Sequence, residues 1–219
     1  MTYSHVDCNG EPLENKLDFI FKNKEYGFFI ELGANNGLSQ SNTAFFEFSR
    51  KWKGILIEPS VVGYELCLKN RPNSVCFNCA CVSNDYKDDF VYGDFQDNSL
   101  MASINGERLT SNMLVKVRAQ TLESILETQH IDNIDFLSLD TEGYELNILN
   151  GLNLDKYRPN YMLIEIYSKD YNNIILFLKE KNYSLINNFT NYSLATNPHW
   201  DGSHNDYLFV DNSFTPIEV

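Results

Sequence analysis

Three short apolar runs in this 219-residue chain each end in a carboxylate followed by a turn. Phe28-Phe-Ile-Glu-Leu leads into Gly-Ala-Asn-Asn-Gly, so Glu31 stands beside a loop bounded by Gly33 and Gly37. Gly54-Ile-Leu-Ile ends at Glu58, before Pro59-Ser60, and Ile134-Asp-Phe-Leu-Ser-Leu ends at Asp140, before Thr-Glu-Gly. In an open parallel sheet, ligands bind outside the carboxyl ends of the strands. Carboxylates collected there face one crevice. One strand-end acid is a common accident; three at such ends are a pattern that asks for a ligand.

The residue types restrict that ligand. Gly33 and Gly37 permit a tight turn and close approach of backbone to a bound group. Glu58 is placed to accept hydrogen bonds from two ribose hydroxyls, as the acid of nucleoside-binding folds does. The first loop does not follow G-x-G-x-x-G, and no basic residue sits in it to meet a pyrophosphate. Glu31 would repel phosphates and favour a cation. A nucleoside without phosphates that carries positive charge satisfies these conditions, and S-adenosyl-L-methionine is such a molecule. Its amino-acid end is expected at Glu31 and the glycine loop.

The elements that must hold these residues are legible from hydrophobic periodicity. Leu13–Lys24 has helical spacing, and Phe28–Leu32 is a strand buried on both faces. Thr43–Trp52 reads as a helix, Gly54–Glu58 as a strand, Ser60–Asn70 as a helix and Val75–Val82 as a third strand. This alternation predicts a parallel sheet with helices on its faces. Between Ser83 and Gln120 the pattern loosens; FVYGDF and MLVKVRAQ read as strands of an inserted hairpin, or of a loop over one end of the sheet. Thr121–Gln129 is a helix with a capping threonine, Ile134–Leu139 a strand, Glu145–Asn150 a helix closed by Gly151, Met162–Ile166 a strand and Tyr171–Lys181 a helix. Tyr183–Ile186 and Tyr207–Val210 are expected to pair as a final antiparallel unit. No repeat or linker divides the chain, so a single domain over residues 1–219 is expected.

Composition narrows the function classes. The net charge is −13, with 17 basic residues against 30 acidic ones and no basic run. Nucleic acid and anionic membrane surfaces are therefore poor partners, because phosphates are bound by clustered Lys and Arg. No apolar stretch approaches the roughly 20 residues of a membrane helix. The first residues lack the basic-then-apolar pattern of a secretory signal, and a cytoplasmic location is expected. Five cysteines, three of them in CFNCAC, do not suggest a disulfide framework. Cys79 and Cys81 share one face of a strand and Cys76 the other, so small buried residues are expected there, not metal ligands.

Taken in order, ELGANNGLSQSNT, ILIEPS, CVSN, NSLMAS, FLSLDTEGYELNILNG and HNDYLFV resemble the successive landmarks of the FkbM-type methyltransferases. Asp140-Thr-Glu-Gly-Tyr-Glu-Leu-Asn-Ile-Leu-Asn-Gly151 is similar to that family's D-x-E-G-x-E-x-x-x-L-x-G signature. The resemblance spans about residues 27–210. It implies an α/β, Rossmann-like class I methyltransferase: a seven-stranded, mostly parallel sheet with an antiparallel last strand and helices on both faces. It also implies methyl transfer from S-adenosyl-L-methionine to a hydroxyl, most often of a sugar, a glycan or a natural product. By the same resemblance, Glu31, Gly33, Asn35, Gly37 and Ser39 belong to the first cofactor loop and Glu58 is the ribose acid. Cys81 flanks the adenine, and Asp140, Glu142 and Gly143 lie under the transferring methyl.

A hydroxyl acceptor needs a base within hydrogen-bond reach. Asp140, Glu142, Glu165 and His204 are the candidates. His204 lies in NPHWDGSHNDYLFV beside Trp200, a possible platform for a sugar ring, and Asp206, a second substrate contact. A loop histidine satisfied by solvent is an equal reading of His204, and Glu145 reads as an acid favoured by a helix dipole. Asp140, Glu142, Glu165 and His204 would also suit Mg²⁺, but nothing in the sequence requires a metal and none is expected. Two alternatives remain at this stage. A nicotinamide-dependent oxidoreductase is disfavoured by the missing third glycine and by Glu31. A non-catalytic binding module with the same fold is disfavoured by the intact strand-end acids.

Overall fold

A computed structural model describes residues 2–95, 114–131, 133–198 and 200–215; the NSLMAS landmark lies outside them. The elements run α1 (Leu13–Ile20), β1 (Phe28–Leu32), α2 (Ala44–Arg50), β2 (Lys53–Ile57), α3 (Val61–Asn70), β3 (Val75–Phe77), β4 (Ala80–Val82), β5 (Phe90–Gly93), β6 (Val115–Thr121), α4 (Leu122–Glu127), β7 (Ile134–Leu139), α5 (Glu145–Leu149), β8 (Pro159–Tyr167), α6 (Tyr171–Glu180), β9 (Tyr183–Asn188) and β10 (His204–Asp211). Seven strands form one sheet in the order β3-β2-β1-β7-β8-β10-β9. β10 is antiparallel to both of its neighbours, and the pairs among β3, β2, β1, β7 and β8 are parallel. The expected sheet, with its antiparallel last strand, is present.

Period-two alternation sends each strand's apolar residues to both faces. Phe29, Leu56, Phe136, Leu163 and Leu208 pack with Leu13 and Leu17 of α1, Phe46 of α2 and Cys67 of α3. Ile30, Ile55, Leu137, Met162, Ile164 and Phe209 face the other way, onto Leu122 and Ile125 of α4, Ile148 of α5 and Ile174 and Leu178 of α6. Helices thus cover both faces, which is why these strands read as unbroken apolar runs.

Several boundaries differ from the sequence reading, each for a local reason. α1 stops at Ile20 because Lys22 and Asn23 take positive φ. α2 ends at Arg50, where Lys51 adopts a left-handed cap. The expected third strand is two strands. β3 pairs with β2, but β4 leaves the sheet and pairs with β6, which in turn pairs with β5. The break is at Asn78, whose side-chain amide donates to the carbonyls of Glu58 and Pro59, both at 2.9 Å. Those bonds tie the chain to the tip of β2 and turn it away. Cys79 and Cys81 are buried free thiols, as expected of small core residues.

Candidate active site

A cleft of about 780 Å³, counting the open space at its mouth, lies at the carboxyl ends of β1, β2 and β7. Its lining includes Gly33, Asn35, Ser39, Glu58, Cys81, Asp140 and Glu142. Six of the eight residues expected to touch a cofactor therefore meet in one place, although they come from four segments of the chain.

Gly33 has φ +77°, and a Cβ there would come 1.8 Å from the carbonyl oxygen of Asp140. Only glycine lets β1 and β7 release their chains this close together. Asn35 follows with φ +50° and donates its backbone N–H to Glu58 Oε2 at 2.7 Å. Ser60 N–H donates to Glu58 Oε1 at 2.8 Å. Each oxygen of that carboxylate keeps a free lone pair, so two hydroxyls can still be accepted. Burial, opposed by the two backbone donors, pushes the Glu58 carboxyl up to about 7. Asn35 Oδ1 is buried with no hydrogen-bond partner among the described residues. A buried amide oxygen left this way marks a place where a ligand donor belongs.

Glu31 and Gly37 have other work. Glu31 does not line the cleft. Its Oε2 accepts from Ser41 Oγ at 2.9 Å and Thr43 Oγ1 at 2.6 Å, its Oε1 accepts from Asn42 N–H at 2.9 Å, and Arg71 Nη1 lies 3.6 Å away. Its carboxyl sits above the usual range because burial outweighs Arg71. The expectation that Glu31 holds the cofactor's amino-acid end is corrected: it ties the loop to α2. Gly37 packs against α3, where a Cβ would meet Arg71 Cγ at 2.8 Å. Arg71 is fully buried. It donates to Glu47 Oε2 at 2.6 Å, to the Gly37 carbonyl at 2.8 Å, to Ser41 Oγ at 3.1 Å and to Thr43 Oγ1 at 2.9 Å. In the sequence Arg71 precedes Pro72 and reads as a helix terminator, so this hub is invisible there; the hydroxyls of SQSNT were its one signal.

Beyond Asp140 the sheet face that carries Phe136 and Leu163 turns polar. In-register neighbours share a face: Glu31 pairs with Ser138, Ser138 with Leu163, Glu165 with Asp206, and Tyr167 with His204. Oxygens of Asp140, Glu142 and Glu165 lie within 4.8 Å of one another. Asp140 and Glu165 are held well above the ordinary carboxyl range by burial first and by neighbouring acids second. Glu142 has φ +58°, and Tyr167 Oη donates to its Oε2 at 2.5 Å. Glu145 Oε1 accepts from Thr141 N–H, Thr141 Oγ1 and Gly143 N–H at 2.9–3.1 Å. Its part is to pin the turn, more specific than a dipole effect. His204, the first residue of β10, places Nε2 3.1 Å from Glu165 Oε1 and Nδ1 2.6 Å from Ser203 Oγ. It is not a solvent-satisfied loop residue. Trp200 Nε1–H donates to the His204 carbonyl at 2.9 Å. Asp206 is buried, pairs with Glu165 across β8 and β10, and is not among the described residues lining the cleft. Tyr167 was not anticipated; its position in β8, two residues beyond Glu165, was the available signal.

A sheet of this order, with a glycine loop after its first strand and an acid after its second, defines the class I methyltransferase fold. The model of the methyltransferase FkbM domain matches residues 31–185, and the chain belongs to that family. It is an S-adenosyl-L-methionine-dependent methyltransferase, which removes the oxidoreductase alternative. A search of the curated proteins finds no match. Among solved structures, the fibrillarin of Aeropyrum pernix with natively bound S-adenosyl-L-methionine is 12% identical, with a TM-score of 0.50 over 85% of this chain and 67% of that one. An S-adenosylmethionine-dependent methyltransferase from Aquifex aeolicus is 10% identical, with a TM-score of 0.45, 90% of this chain and 89% of that one being covered. At such identity the likeness to the fibrillarin concerns the fold alone.

The cleft fits the cofactor. Among the described residues it has spare acceptors on Glu58, an unpartnered Asn35 Oδ1, acids and no base in its lining, and a wall of Ile57, Ala80, Phe95 and Ile148 that suits a purine. Among the described residues, no helix is long and apolar enough to cross a membrane.

Proposed function

We propose that the protein methylates a hydroxyl of a sugar or glycan. The observation that carries this reading is the pairing of His204 Nε2 with Glu165 Oε1, an acid with an oxygen within 4.8 Å of oxygens of Asp140 and Glu142, which line the cleft. An amine acceptor needs no such group once it is neutral, whereas an alcohol must lose its proton as the new bond forms. The cofactor supplies an electrophilic methyl on a sulfonium. Glu58 would accept the ribose hydroxyls, Gly33, Asn35 and Ser39 would hold the loop side, and Cys81 would lie on the adenine side. Asp140 and Glu142 face the cationic end. The acceptor O–H breaks and its proton passes to His204, whose imidazolium is stabilised by Glu165. With the cofactor bound, the methyl would pass from its sulfur to that oxygen, with S-adenosylhomocysteine as the leaving product. Holding oxygen, carbon and sulfur in line is the larger part of the catalysis.

The sugar half of the reading rests on Trp200, a flat apolar ring fixed by its bond to the His204 carbonyl. A net charge of −13 argues against nucleic acid. Asp206, the cross-strand neighbour of Glu165, is the second proposed substrate contact. Free Cys79 and Cys81 lie side by side in the core, which fits a reducing compartment such as the cytoplasm. One domain over residues 1–219 carries all of this.

The test is transfer of isotopically labelled methyl to separate panels of monosaccharides, nucleotide sugars, oligosaccharides, RNA and protein. Labelling in a sugar panel is the expected result. His204→Ala should bind S-adenosylhomocysteine as the wild type does and transfer about 10²–10⁴ times more slowly. Labelling of RNA or protein alone, or full turnover in the variant, would end the proposal.

A further inference from the structure

We infer that Asp140, Glu142 and Glu165 form a site for a divalent cation, Mg²⁺ or Mn²⁺, at the acceptor end of the cleft. One oxygen from each lies within 4.8 Å of the others. Bonds of about 2.1 Å to an octahedral ion place trans oxygens about 4.2 Å apart, so small side-chain rotations close the set around one ion. An acidic cluster alone would carry little. The second observation is Glu165 Oε2: the residue is 7% exposed, and this oxygen has no hydrogen-bond partner among the described residues. Its fellow oxygen pairs with His204 Nε2 at 3.1 Å. A buried carboxylate oxygen without a donor is costly unless a proton or a cation meets it.

The supports of the three acids are rigid. Asp140 follows β7 and Glu165 lies within β8. Glu142 sits in a turn tied by Glu145, with Tyr167 Oη on its Oε2. The cross-strand neighbour of Glu165 is another acid, Asp206, and like charges directly opposite one another are destabilising. All the donors are oxygens and none is a thiol, which favours a hard ion over zinc. Vacant positions would go to water and to the acceptor hydroxyl, lowering the hydroxyl's pKa as metal-bound water is acidified. Glu165 would then bridge the ion and His204. That catalytic role rests on the hydroxyl-acceptor reading; the site itself does not.

The experiment is Mn²⁺ binding to chelator-treated protein, followed by the electron paramagnetic resonance signal of free Mn²⁺, with no cofactor or acceptor present. One saturable site is expected below millimolar Mn²⁺. Glu165→Gln, which keeps the volume of the side chain, should weaken it at least tenfold while S-adenosylhomocysteine affinity stays within about threefold. Glu142→Gln, at a partly exposed position, should weaken it similarly and guards against misfolding of the first variant. No depletion of free Mn²⁺ at millimolar concentration would overturn the site, and so would unchanged binding in both variants. Methyl transfer to a sugar that proceeds in excess chelator, with no Mn²⁺ bound, would discard the cation and leave the proposed function standing. Mn²⁺ binding lost in the variants, with no hydroxyl acceptor found, would sustain the site and discard the acceptor.

Discussion

Glu58 offers a quantitative test of how the cofactor is held. Its carboxyl titrates near 7 in the folded chain because burial outweighs the N–H groups of Asn35 and Ser60. The ionised form accepts two hydroxyls; the protonated form has given up part of that capacity. At pH 8 about ten molecules in eleven carry the carboxylate and at pH 6 about one in eleven, so affinity for a ribose diol should fall by up to about tenfold between them. The sign for stability is the reverse. A raised folded pKa means that Glu58's stabilising contribution is full below the unfolded value of about 4.3 and is lost as pH rises through 7. The perturbation is Glu58→Gln. The glutamine oxygen can accept from only one of the two backbone N–H groups, and its amide faces the other, so ribose affinity at pH 8 should fall by about 10–100-fold for loss of one charged hydrogen bond of 1.5–3 kcal/mol. The pH slope should vanish with it. The assay is titration calorimetry with 5′-methylthioadenosine, which has the ribose diol but no amino acid and so is insensitive to Asp140 and Glu142. A flat wild-type profile, or a slope that survives in Glu58→Gln, would refute the assignment.

Other expectations follow from the same geometry. Arg71→Met leaves Glu47 and Glu31 buried without their cation, so it should cost about 3–5 kcal/mol, or roughly 6–20 °C in Tm for a chain of this size; a drop under 3 °C in calorimetry would show the hub to be dispensable. Gly33→Ala places a methyl on the Asp140 carbonyl and should weaken S-adenosylhomocysteine binding at least tenfold, with circular dichroism confirming that the sheet survives. Asn35→Gly keeps the positive φ and deletes the orphaned oxygen. Its stability should stay within about 0.5 kcal/mol of the wild type while cofactor affinity drops, and equal affinities would show that Oδ1 meets no ligand.

The strand ends were legible because a parallel sheet buried on both faces writes itself as apolar runs, and an acid closing such a run has nowhere to point but the crevice. Glu58 and Asp140 do line the cleft, but Glu31 does not, because three donors downstream and the Arg71 guanidinium claim its carboxylate. Nothing local in Arg71-Pro72 announces a buried cation; its partners are 24 to 40 residues away and come together only on folding. The split of the third strand was hidden for a similar reason. Val75–Val82 is apolar enough for one strand, and the deciding bonds run from one amide side chain to the carbonyls of β2's end. Tyr167 was missed because a tyrosine ending a strand looks like core, and only the turn carrying Glu142 gives its hydroxyl a purpose.

Arg71 also decides which parts of the molecule open together. Its bonds span the glycine loop, the start of α2 and the end of α3, and Glu47 carries them on to Ser74. Segments joined through one buried cation cannot unfold separately without stranding it, so they form a single cooperative unit of local unfolding. A ligand that settles into the loop therefore slows hydrogen exchange in α2, a helix set behind the cleft.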